Sequence, residues 1–492
     1  MAACLPLGCR KGERSERPNI VLILTDDQET GSLAYMPVVR KRLVRRGMTF
    51  ASAFATTPLC CPSRASILTG QYIHNHRVYA NQPPEGGAPR FAQLGHEAND
   101  LAVWLQAAGY RTGIFGKYLN AYEDPRHVPP GWNDWHVAIG REGYNGFNYT
   151  LSENGKPVRY GRNNDDYITG VLADRAVAFV RAAEKDDRRP FFIYFSTFAP
   201  HGPYVSAPKD RKAFRRVTAP RPPSFNEADM RDKPAYMQAL PLDSPLIREI
   251  DRLYRRYLRS LLGVDRAVDR ILDALDCGDE TRDTYVFYFS DNGTLLGEHR
   301  DVGKWSPYEE SIHVPLVVRG PGVPAGSVSR KQALNLDLAP TFLAIAGARA
   351  GAPMDGRSLL PILRGSPPPD WRTDFLIENL EGLSGDPHPR KMTDPPPYRG
   401  VRTERYLYVE YLDPRKGTRE LYDLNRDPYE LESLHARPET QPLMRRLSAR
   451  VRALQECRGD DCRRAAADAS STQGGNTAVT GDDRPGEVGA GP

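Results

Sequence analysis

Two short apolar runs of the 492-residue chain each end in polar side chains that could bind a metal ion. Asp26 and Asp27 follow the first run, and Asp291 and Asn292 follow the second. Clustered carboxylates repel one another unless a cation lies between them, and oxygen ligands favour a hard ion such as Ca²⁺ or Mg²⁺. The alternative for either pair alone is that the aspartate caps the next helix or turn. Because both pairs follow an apolar run, together they favour a site for one divalent cation.

A Cys-Cys-Pro-Ser-Arg motif at residues 60–64 lies between the two acidic pairs. Proline suits the first turn of a helix and Gly70 suits its end, so the motif predicts a turn followed by a helix over Ser63 to Leu68. Cys60 then lies at a helix N-terminus, where free N–H groups attract an anion, and Arg64 adds a forked donor for sulfate or phosphate oxygens. A lone cysteine is more often a small buried hydrophobe, but the surrounding motif favours chemistry here.

The elements that must position these residues follow from short apolar runs rich in β-branched or aromatic residues, which predict buried strands. The predicted strands are Ile20 to Thr25, Thr112 to Phe115, Phe191 to Thr197 and Tyr285 to Ser290. The helical patterns between them are Met36 to Arg46, Ser63 to Leu68, Leu101 to Ala108, Thr169 to Glu184 and Ile247 to Leu275. Strands alternating with helices indicate an α/β domain with a largely parallel sheet covered on both faces. In such domains the chemistry lies at the carboxyl ends of the strands.

The pattern changes after an apolar segment, Leu334 to Ala346, that predicts a packing helix, and a proline-rich stretch at Pro367 to Pro369. We place a boundary near residue 370, so that residues 18–370 form the catalytic domain and 371–463 form a smaller α+β subdomain. The strands predicted for this subdomain are Phe375 to Ile377, Gly400 to Val401, Tyr406 to Tyr411 and Glu420 to Leu424, with a helix at Pro442 to Leu454. Residues 1–17 and the Ala-, Ser- and Gly-rich tail 464–492 are expected to be disordered.

Composition limits the classes of partner. The net charge is +5 and charges of both signs are mixed along the chain, so we expect no nucleic-acid partner. No run approaches the roughly 20 apolar residues of a membrane span. Seven cysteines are too few for a disulfide scaffold in a chain this long. Cys457 and Cys462 could close a small loop, which indicates an oxidising compartment, although residues 1–17 contain no clear signal peptide.

The motif at residues 60–64, with Leu68-Thr69-Gly70 after it, resembles the signature of the formylglycine-dependent sulfatases, which have an alkaline-phosphatase-like fold. The resemblance extends from about Pro18 to Cys462. In that family the first cysteine of the motif is converted to formylglycine (3-oxoalanine), which here is Cys60, and Cys61 fills the variable position. The resemblance also implies a formylglycine-generating enzyme as a maturation partner and an extracellular or periplasmic location.

The same resemblance assigns further site residues. It implies that the divalent cation is Ca²⁺ and that Lys117, His201 and Lys304 contact the sulfate, together with Arg64. The metal ligands it implies are Asp26, Asp27, Cys60 in its modified form, Asp291 and Asn292. His299, near the second acidic pair, is expected outside the direct contacts.

The chain departs from many sulfatases at Leu119, where a histidine is common two residues after the first lysine. The string Gly116-Lys117-Tyr118-Leu119-Asn120 is instead similar to the N-acetylglucosamine-6-sulfatases and the heparan-sulfate 6-O-endosulfatases. We therefore expect hydrolysis of a sulfated sugar, with 6-O-sulfated N-acetylglucosamine or a glycosaminoglycan as substrate. The alternatives are a phosphomonoesterase or phosphodiesterase of the alkaline phosphatase superfamily, and a non-catalytic protein that binds sulfated glycans.

Overall fold

The computed structural model describes residues 15–186, 189–380, 395–413 and 419–463. Most of the predicted disordered N-terminal segment (residues 1–14) and the tail 464–492 lie outside the described residues. The strands are β1 (Asn19–Asp26), β2 (Met48–Phe50), β3 (Ala53–Phe54), β4 (Arg111–Gly116), β5 (Asp134–Ala138), β6 (Thr150–Glu153), β7 (Lys156–Arg159), β8 (Phe191–Pro200), β9 (Thr284–Ser290), β10 (Leu295–Leu296), β11 (Val302–Gly303), β12 (Leu316–Arg319), β13 (Ser327–Ser329), β14 (Ala333–Leu334), β15 (Asp374–Asn379), β16 (Tyr398–Thr403), β17 (Tyr406–Tyr411) and β18 (Arg419–Asp423). The α-helices are α1 (Cys60–Thr69), α2 (Ile73–His76), α3 (Gly87–Gln93), α4 (Leu101–Ala107), α5 (Ile168–Ala183), α6 (Ser244–Cys277), α7 (Glu309–Ile312), α8 (Leu338–Ala346), α9 (Leu360–Leu363) and α10 (Gln441–Gln455).

The large sheet has ten strands in the order β13-β2-β12-β9-β1-β8-β4-β5-β6-β7. Strands β9, β1, β8, β4 and β5 are parallel neighbours, and the pairs further out are mostly antiparallel. The central strand β1 is buried along its whole length because helices cover both faces of the sheet. Ile20 and Leu22 pack in the apolar layer that contains α1, α4 and α8, whereas Val21 and Ile23 pack against α5 and α6. All four strands predicted from apolar runs lie in this parallel core, and the predicted α/β class is confirmed.

Some elements differ from the prediction in detail. The helix predicted for Met36 to Arg46 contains a π-helical turn, Val39–Leu43, followed by a 3₁₀ turn, Val44–Arg46. The Asp265 carboxylate accepts hydrogen bonds from the backbone N–H groups of Val38 and Val39. These N–H groups at the start of the turn have no acceptor within the turn itself. Helix α1 begins at Cys60, three residues before the predicted start, and its last turn ends at Gly70 with a left-handed φ of 69°.

The C-terminal sheet is an antiparallel meander in the order β15-β16-β17-β18, and α10 packs on it. Its apolar face shares a core with side chains of the large-sheet region, including Phe54, Tyr308 and Leu334. The predicted Cys457–Cys462 pair forms a disulfide with an S–S distance of 2.06 Å. Among the described residues, no helix has the length and apolar composition needed to cross a lipid bilayer.

Candidate active site

The candidate site lies where four neighbouring parallel strands end. Asp26 is the last residue of β1, Asp291 follows β9, His201 follows β8 and Lys117 follows β4. Consecutive residues of a strand point to opposite faces of the sheet. The backbone of Asp27 has a left-handed φ of 65°, which breaks this alternation and lets both neighbouring carboxylates face one pocket. The carboxyl ends of these four strands therefore bring together side chains that are far apart in the chain.

Helix α1 contributes Cys60 and Arg64 from its first turn and a half, and both side chains are fully buried. The Cys60 thiol donates a hydrogen bond to Asp26 Oδ1 at 3.2 Å. Arg64 Nε donates to Asp291 Oδ2 at 2.7 Å, and Arg64 Nη1 donates to the Ser196 hydroxyl at 2.5 Å. Arg64 Nη2 has no hydrogen-bond acceptor among the described residues and lies 3.9 Å from Asp26 Oδ2. An unpaired buried donor of this kind suits the oxygen of an anion.

Two buried lysines complete the positive side of the pocket. Lys117 Nζ lies 2.6 Å from Asp26 Oδ2, and Lys304 Nζ lies 2.5 Å from Asp27 Oδ1 and 2.5 Å from Cys60 Sγ. Burial alone would lower the pKa of each ammonium, but the adjacent carboxylates outweigh it and hold the pKa of both lysines well above the usual value. Both side chains are therefore charged at neutral pH.

The carboxylates and the thiol respond to the same environment in opposite ways. Burial would raise the pKa of Asp26, but Lys117 and His201 outweigh it and lower that pKa. The pKa of Asp27 is likewise lowered, because Lys304 and His201 outweigh burial. Burial, with Asp26 beside it, raises the pKa of the Cys60 thiol well above its usual value. As an unmodified residue Cys60 is therefore a protonated thiol at neutral pH, and a thiol is a poor nucleophile.

His201 faces the pocket from the end of β8. Its Nδ1 lies 2.6 Å from the carbonyl oxygen of Gly202, which can only accept, so Nδ1 carries a proton. The other nitrogen, Nε2, lies 3.5 Å from Asp27 Oδ2. The Tyr144 ring contacts both His201, at 4.5 Å between ring centroids, and Lys117, whose Nζ lies 5.2 Å from the ring centroid.

The donor set fits a divalent cation. Ligand atoms of Asp26, Asp27, Cys60 and His201 all lie within 4.8 Å of one another, and the Asn292 amide donates to Asp27 Oδ1 at 2.7 Å. The Lys304 ammonium also lies 3.4 Å from Asn292 Oδ1, so these oxygens already converge on one positive charge. A cluster of carboxylate and amide oxygens around a positive centre is the environment that hard cations prefer.

The structure brings every site residue predicted from the sequence into this pocket, and their chemical roles stay predictions. Leu119 instead packs in the apolar layer on the α1 side of the sheet, and the His299 ring contacts Glu227 and Tyr308 outside the pocket. Sequence reasoning missed Tyr144 and Ser196. Ser196 lies on β8, next to the predicted end of that strand, whereas no motif marks Tyr144.

The fold and the site define an α/β protein whose pocket of carboxylates and buried cations lies at the carboxyl ends of parallel strands. Residues 18–348 match the family model described as "Sulfatase", and residues 297–457 match the one described as "N-sulphoglucosamine sulphohydrolase, C-terminal". A Homo sapiens protein named N-acetylglucosamine-6-sulfatase is 37% identical over 94% of this chain and 89% of its own length. A Drosophila melanogaster protein named extracellular sulfatase SULF-1 homolog is 40% identical over 74% of this chain and 33% of its own length.

A similar solved structure has a TM-score of 0.77 and 24% identity, covering 92% of this chain and 99% of its own. It is described as a complex with its substrate D-glucosamine-2-N,6-O-disulfate. The chain belongs to the sulfatase family. It is accordingly a sulfuric ester hydrolase.

Proposed function

We propose that the enzyme removes the 6-O-sulfate from N-acetylglucosamine, free or within a glycosaminoglycan, by way of a formylglycine at residue 60. The observation that carries the proposal is the position of Cys60 Sγ between Asp26 and Lys304, in a pocket that also holds the Arg64 guanidinium. The similarity to proteins named N-acetylglucosamine-6-sulfatase supports the choice of substrate. Free sulfated sugars and polymers share this chemistry, so the assay must include both.

A formylglycine explains how the covalent intermediate can be released. The hydrated aldehyde at residue 60 has two hydroxyl groups on one carbon. One hydroxyl oxygen loses its proton and attacks the sulfur, and the S–O bond to the sugar oxygen breaks. The second hydroxyl then loses its proton, the C=O bond reforms and sulfate leaves. An unmodified thiol, or a serine hydroxyl, has no second hydroxyl with which to expel sulfate.

The surrounding side chains hold the sulfate and move the protons. Arg64, Lys117 and Lys304 present positive charge to the sulfate oxygens, where negative charge develops in the transition state. The Nε2 atom of His201 faces the pocket, so His201 is one candidate to protonate the departing sugar oxygen, and Lys304 is the other. Because the side chains that line the pocket are buried, each of these interactions is stronger than it would be in water.

We assign the cation to Asp26, Asp27, Asp291 and Asn292 together with the modified residue 60, and we propose Ca²⁺ because all four side chains offer oxygen. When bound, it would supply positive charge that neutralises the carboxylates and favours loss of a proton from a hydroxyl of residue 60. Asp291 would then share its charge between the cation and Arg64.

The same proposal extends to maturation and location. A formylglycine-generating enzyme would oxidise Cys60, and the Cys457–Cys462 disulfide supports an extracellular or periplasmic protein. We also propose that the domain boundary falls near residue 370, just before β15, which is the first strand of the C-terminal sheet.

The substrate is tested by comparing kcat/KM for N-acetylglucosamine-6-sulfate, a 6-O-sulfated heparan oligosaccharide, an aryl sulfate and a phosphate monoester. We expect one of the two 6-O-sulfated sugars to have the highest value. A far higher kcat/KM for the aryl sulfate would overturn the substrate assignment. A preference for the phosphate monoester would favour a phosphatase, and binding of sulfated sugar without turnover by formylglycine-containing protein would favour a non-catalytic glycan-binding role.

A further inference from the structure

A second buried cluster of ionisable side chains lies outside the catalytic pocket. It forms where the loop between β10 and β11, helix α7 and the segment after β18 meet. These three parts contribute His299, Glu310 and Glu430, and one ligand atom from each lies within 4.8 Å of the others. His299 and Glu430 are almost completely buried. The cluster therefore joins the catalytic part of the chain to the C-terminal sheet.

The His299 ring is held so that one nitrogen faces the cluster. Its Nδ1 lies 2.7 Å from Glu227 Oε2, and the ring stacks on Tyr308 with the centroids 4.2 Å apart. Because a carboxylate only accepts, Nδ1 carries a proton and Nε2 can present its lone pair. Within the part of the chain that the structure describes, Nε2 has no hydrogen-bond partner, and it lies 3.8 Å from Glu310 Oε2. A carboxylate that orients a histidine through its other nitrogen is a common arrangement behind metal ligands.

The two glutamates are arranged in a matching way, with one oxygen fixed and the other unpaired. Glu430 Oε2 accepts the backbone N–H of Glu309 at 3.1 Å, and Glu310 Oε1 accepts the Ser224 hydroxyl at 3.2 Å. No described residue forms a hydrogen bond with Glu430 Oε1 or Glu310 Oε2. Leaving a buried polar atom unpaired costs about 1–3 kcal/mol, more when it is charged. Three unpaired atoms on residues whose ligand atoms lie within 4.8 Å of one another indicate a ligand that satisfies them together.

The local charge points to a cation. Besides Glu310 and Glu430, two further glutamates, Glu298 and Glu227, are buried nearby. Two cationic side chains pair with neighbouring glutamates: Lys233 Nζ lies 3.0 Å from Glu227 Oε1, and Arg402 pairs with Glu309. Neither contributes a hydrogen bond to the unpaired oxygens of Glu310 and Glu430. Negative charge thus exceeds positive charge around the unpaired atoms.

We infer that His299, Glu310 and Glu430 bind a second divalent cation, Zn²⁺, that fastens the C-terminal sheet to the catalytic loop. One imidazole nitrogen and two carboxylates form a zinc-type donor set with room for a further ligand. Bonds of about 2.0–2.1 Å in tetrahedral geometry separate the ligand atoms by about 3.3 Å, close to the 3.8 Å between His299 Nε2 and Glu310 Oε2. The loop that carries His299 runs directly into Lys304, so the cation would also steady that lysine.

The inference does not depend on the proposed substrate, and metal analysis of the full-length protein tests it. We expect wild-type protein dialysed against metal-free buffer to retain zinc at about one equivalent, besides the cation of the catalytic pocket. Glu430→Gln and Glu310→Gln should lose the zinc, whereas Asp291→Asn should keep it and lose the pocket's cation. The matched control is Glu432→Gln, because Glu432 is exposed and lies two residues from Glu430.

A second measurement keeps the test decisive if a buried variant folds poorly. Zn²⁺ added to chelator-treated Asp291→Asn should raise its Tm, and Glu310→Gln in the same background should abolish the rise. Glu310 is only partly buried, so this variant is the milder one. Zinc that is absent from wild type, retained by Glu310→Gln or lost only with Asp291→Asn would overturn the inference.

Discussion

The catalytic pocket and the apolar layer shift the pKa of a buried aspartate in opposite directions. Asp26, in the catalytic pocket, and Asp100, at the start of α4 in the apolar layer, are both completely buried. The pKa of Asp26 is lowered because Lys117 and His201 outweigh the effect of burial. Burial raises the pKa of Asp100 to about 8, and backbone N–H groups offset this only in part. Burial alone therefore raises the pKa of an aspartate, and only nearby cationic side chains reverse that shift.

Helix α1 separates these two regions, and its neighbouring cysteines fall on different sides. Cys60 contacts Asp26 and Lys304, whereas Cys61 packs in the apolar layer, where burial raises the pKa of its thiol to about 11. The same residue type thus has a charged environment at one position and an apolar one at the next. Substitutions in the pocket, compared with substitutions in the apolar layer, test this contrast most directly.

The largest expected effect is the difference between Cys60→Ser and Cys61→Ser. Cys60→Ser should lower kcat by at least about 10³-fold, because a serine at residue 60 has no second hydroxyl to expel sulfate. Cys61→Ser should keep most activity, because its side chain does not face the pocket. Steady-state kinetics measures kcat for both variants. Intact-protein mass spectrometry after incubation with substrate should show one sulfate group bound to the Cys60→Ser protein. Full activity in protein whose Cys60 is wholly unmodified thiol would refute the mechanism.

Asp291→Asn should have the next largest effect. It leaves the buried Arg64 guanidinium without its 2.7 Å carboxylate partner and removes one proposed metal ligand. We expect kcat/KM to fall by about 10²–10³-fold and the free energy of unfolding to fall by about 3–5 kcal/mol. Kinetics with excess Ca²⁺ and thermal unfolding measure the two effects. The matched control is Asp370→Asn, since Asp370 pairs with Arg357 at the surface; equal losses in both variants would contradict the assignment.

The fold core was accessible to sequence reasoning for a physical reason. Strand β1 is buried on both faces, so it reads as one apolar run, and β4, β8 and β9 share this property. The site residues at the ends of these strands follow from the same reasoning. Strands β2 and β13, at one end of the large sheet, have three residues each, too short for a periodic signal.

Contacts between distant segments could not be predicted in the same way. Tyr144 lies in a short 3₁₀ turn, and only the folded loop brings its ring against Lys117 and His201. His299 and Glu430 come from opposite sides of the C-terminal boundary and carry no shared motif. Such contacts depend on loop conformations and on how two sheets pack, and neither leaves a local pattern in the sequence.

Substitutions of Tyr144 test whether activity depends on the aromatic ring beside Lys117. Tyr144→Leu removes the ring face beside the Lys117 ammonium, an interaction of about 1–2 kcal/mol in a buried setting, so kcat/KM should fall about 5–30-fold. Tyr144→Phe keeps the ring and should retain most activity. The measurement is kcat/KM on the best sulfated sugar, and equal losses in the two variants would show that the hydroxyl, not the ring, matters.

The smallest expected effect concerns Asp100. Because its carboxyl is buried in the apolar layer, its ionisation should make the stability of the protein depend on pH. Its carboxylate accepts the N–H groups of Ala102 and Val103 at 3.0 and 3.2 Å, and so caps α4. With a folded pKa of about 8, above the unfolded value, the folded state binds more protons than the unfolded state between roughly pH 4 and pH 8. The contribution of Asp100 to stability is therefore full below about pH 4 and is lost as the pH rises towards 8.

Asp100→Asn keeps a capping side chain but does not titrate, so its Tm relative to wild type should increase from about pH 5 to about pH 7, by the equivalent of about 1 kcal/mol per pH unit. Asp100→Ala should show the same trend with pH, displaced downward by about 1 kcal/mol at every pH because the cap is lost. A Tm difference between wild type and Asp100→Asn that stays constant across this range would mean that Asp100 is ionised in the folded protein, and that the apolar layer tolerates an unpaired charge.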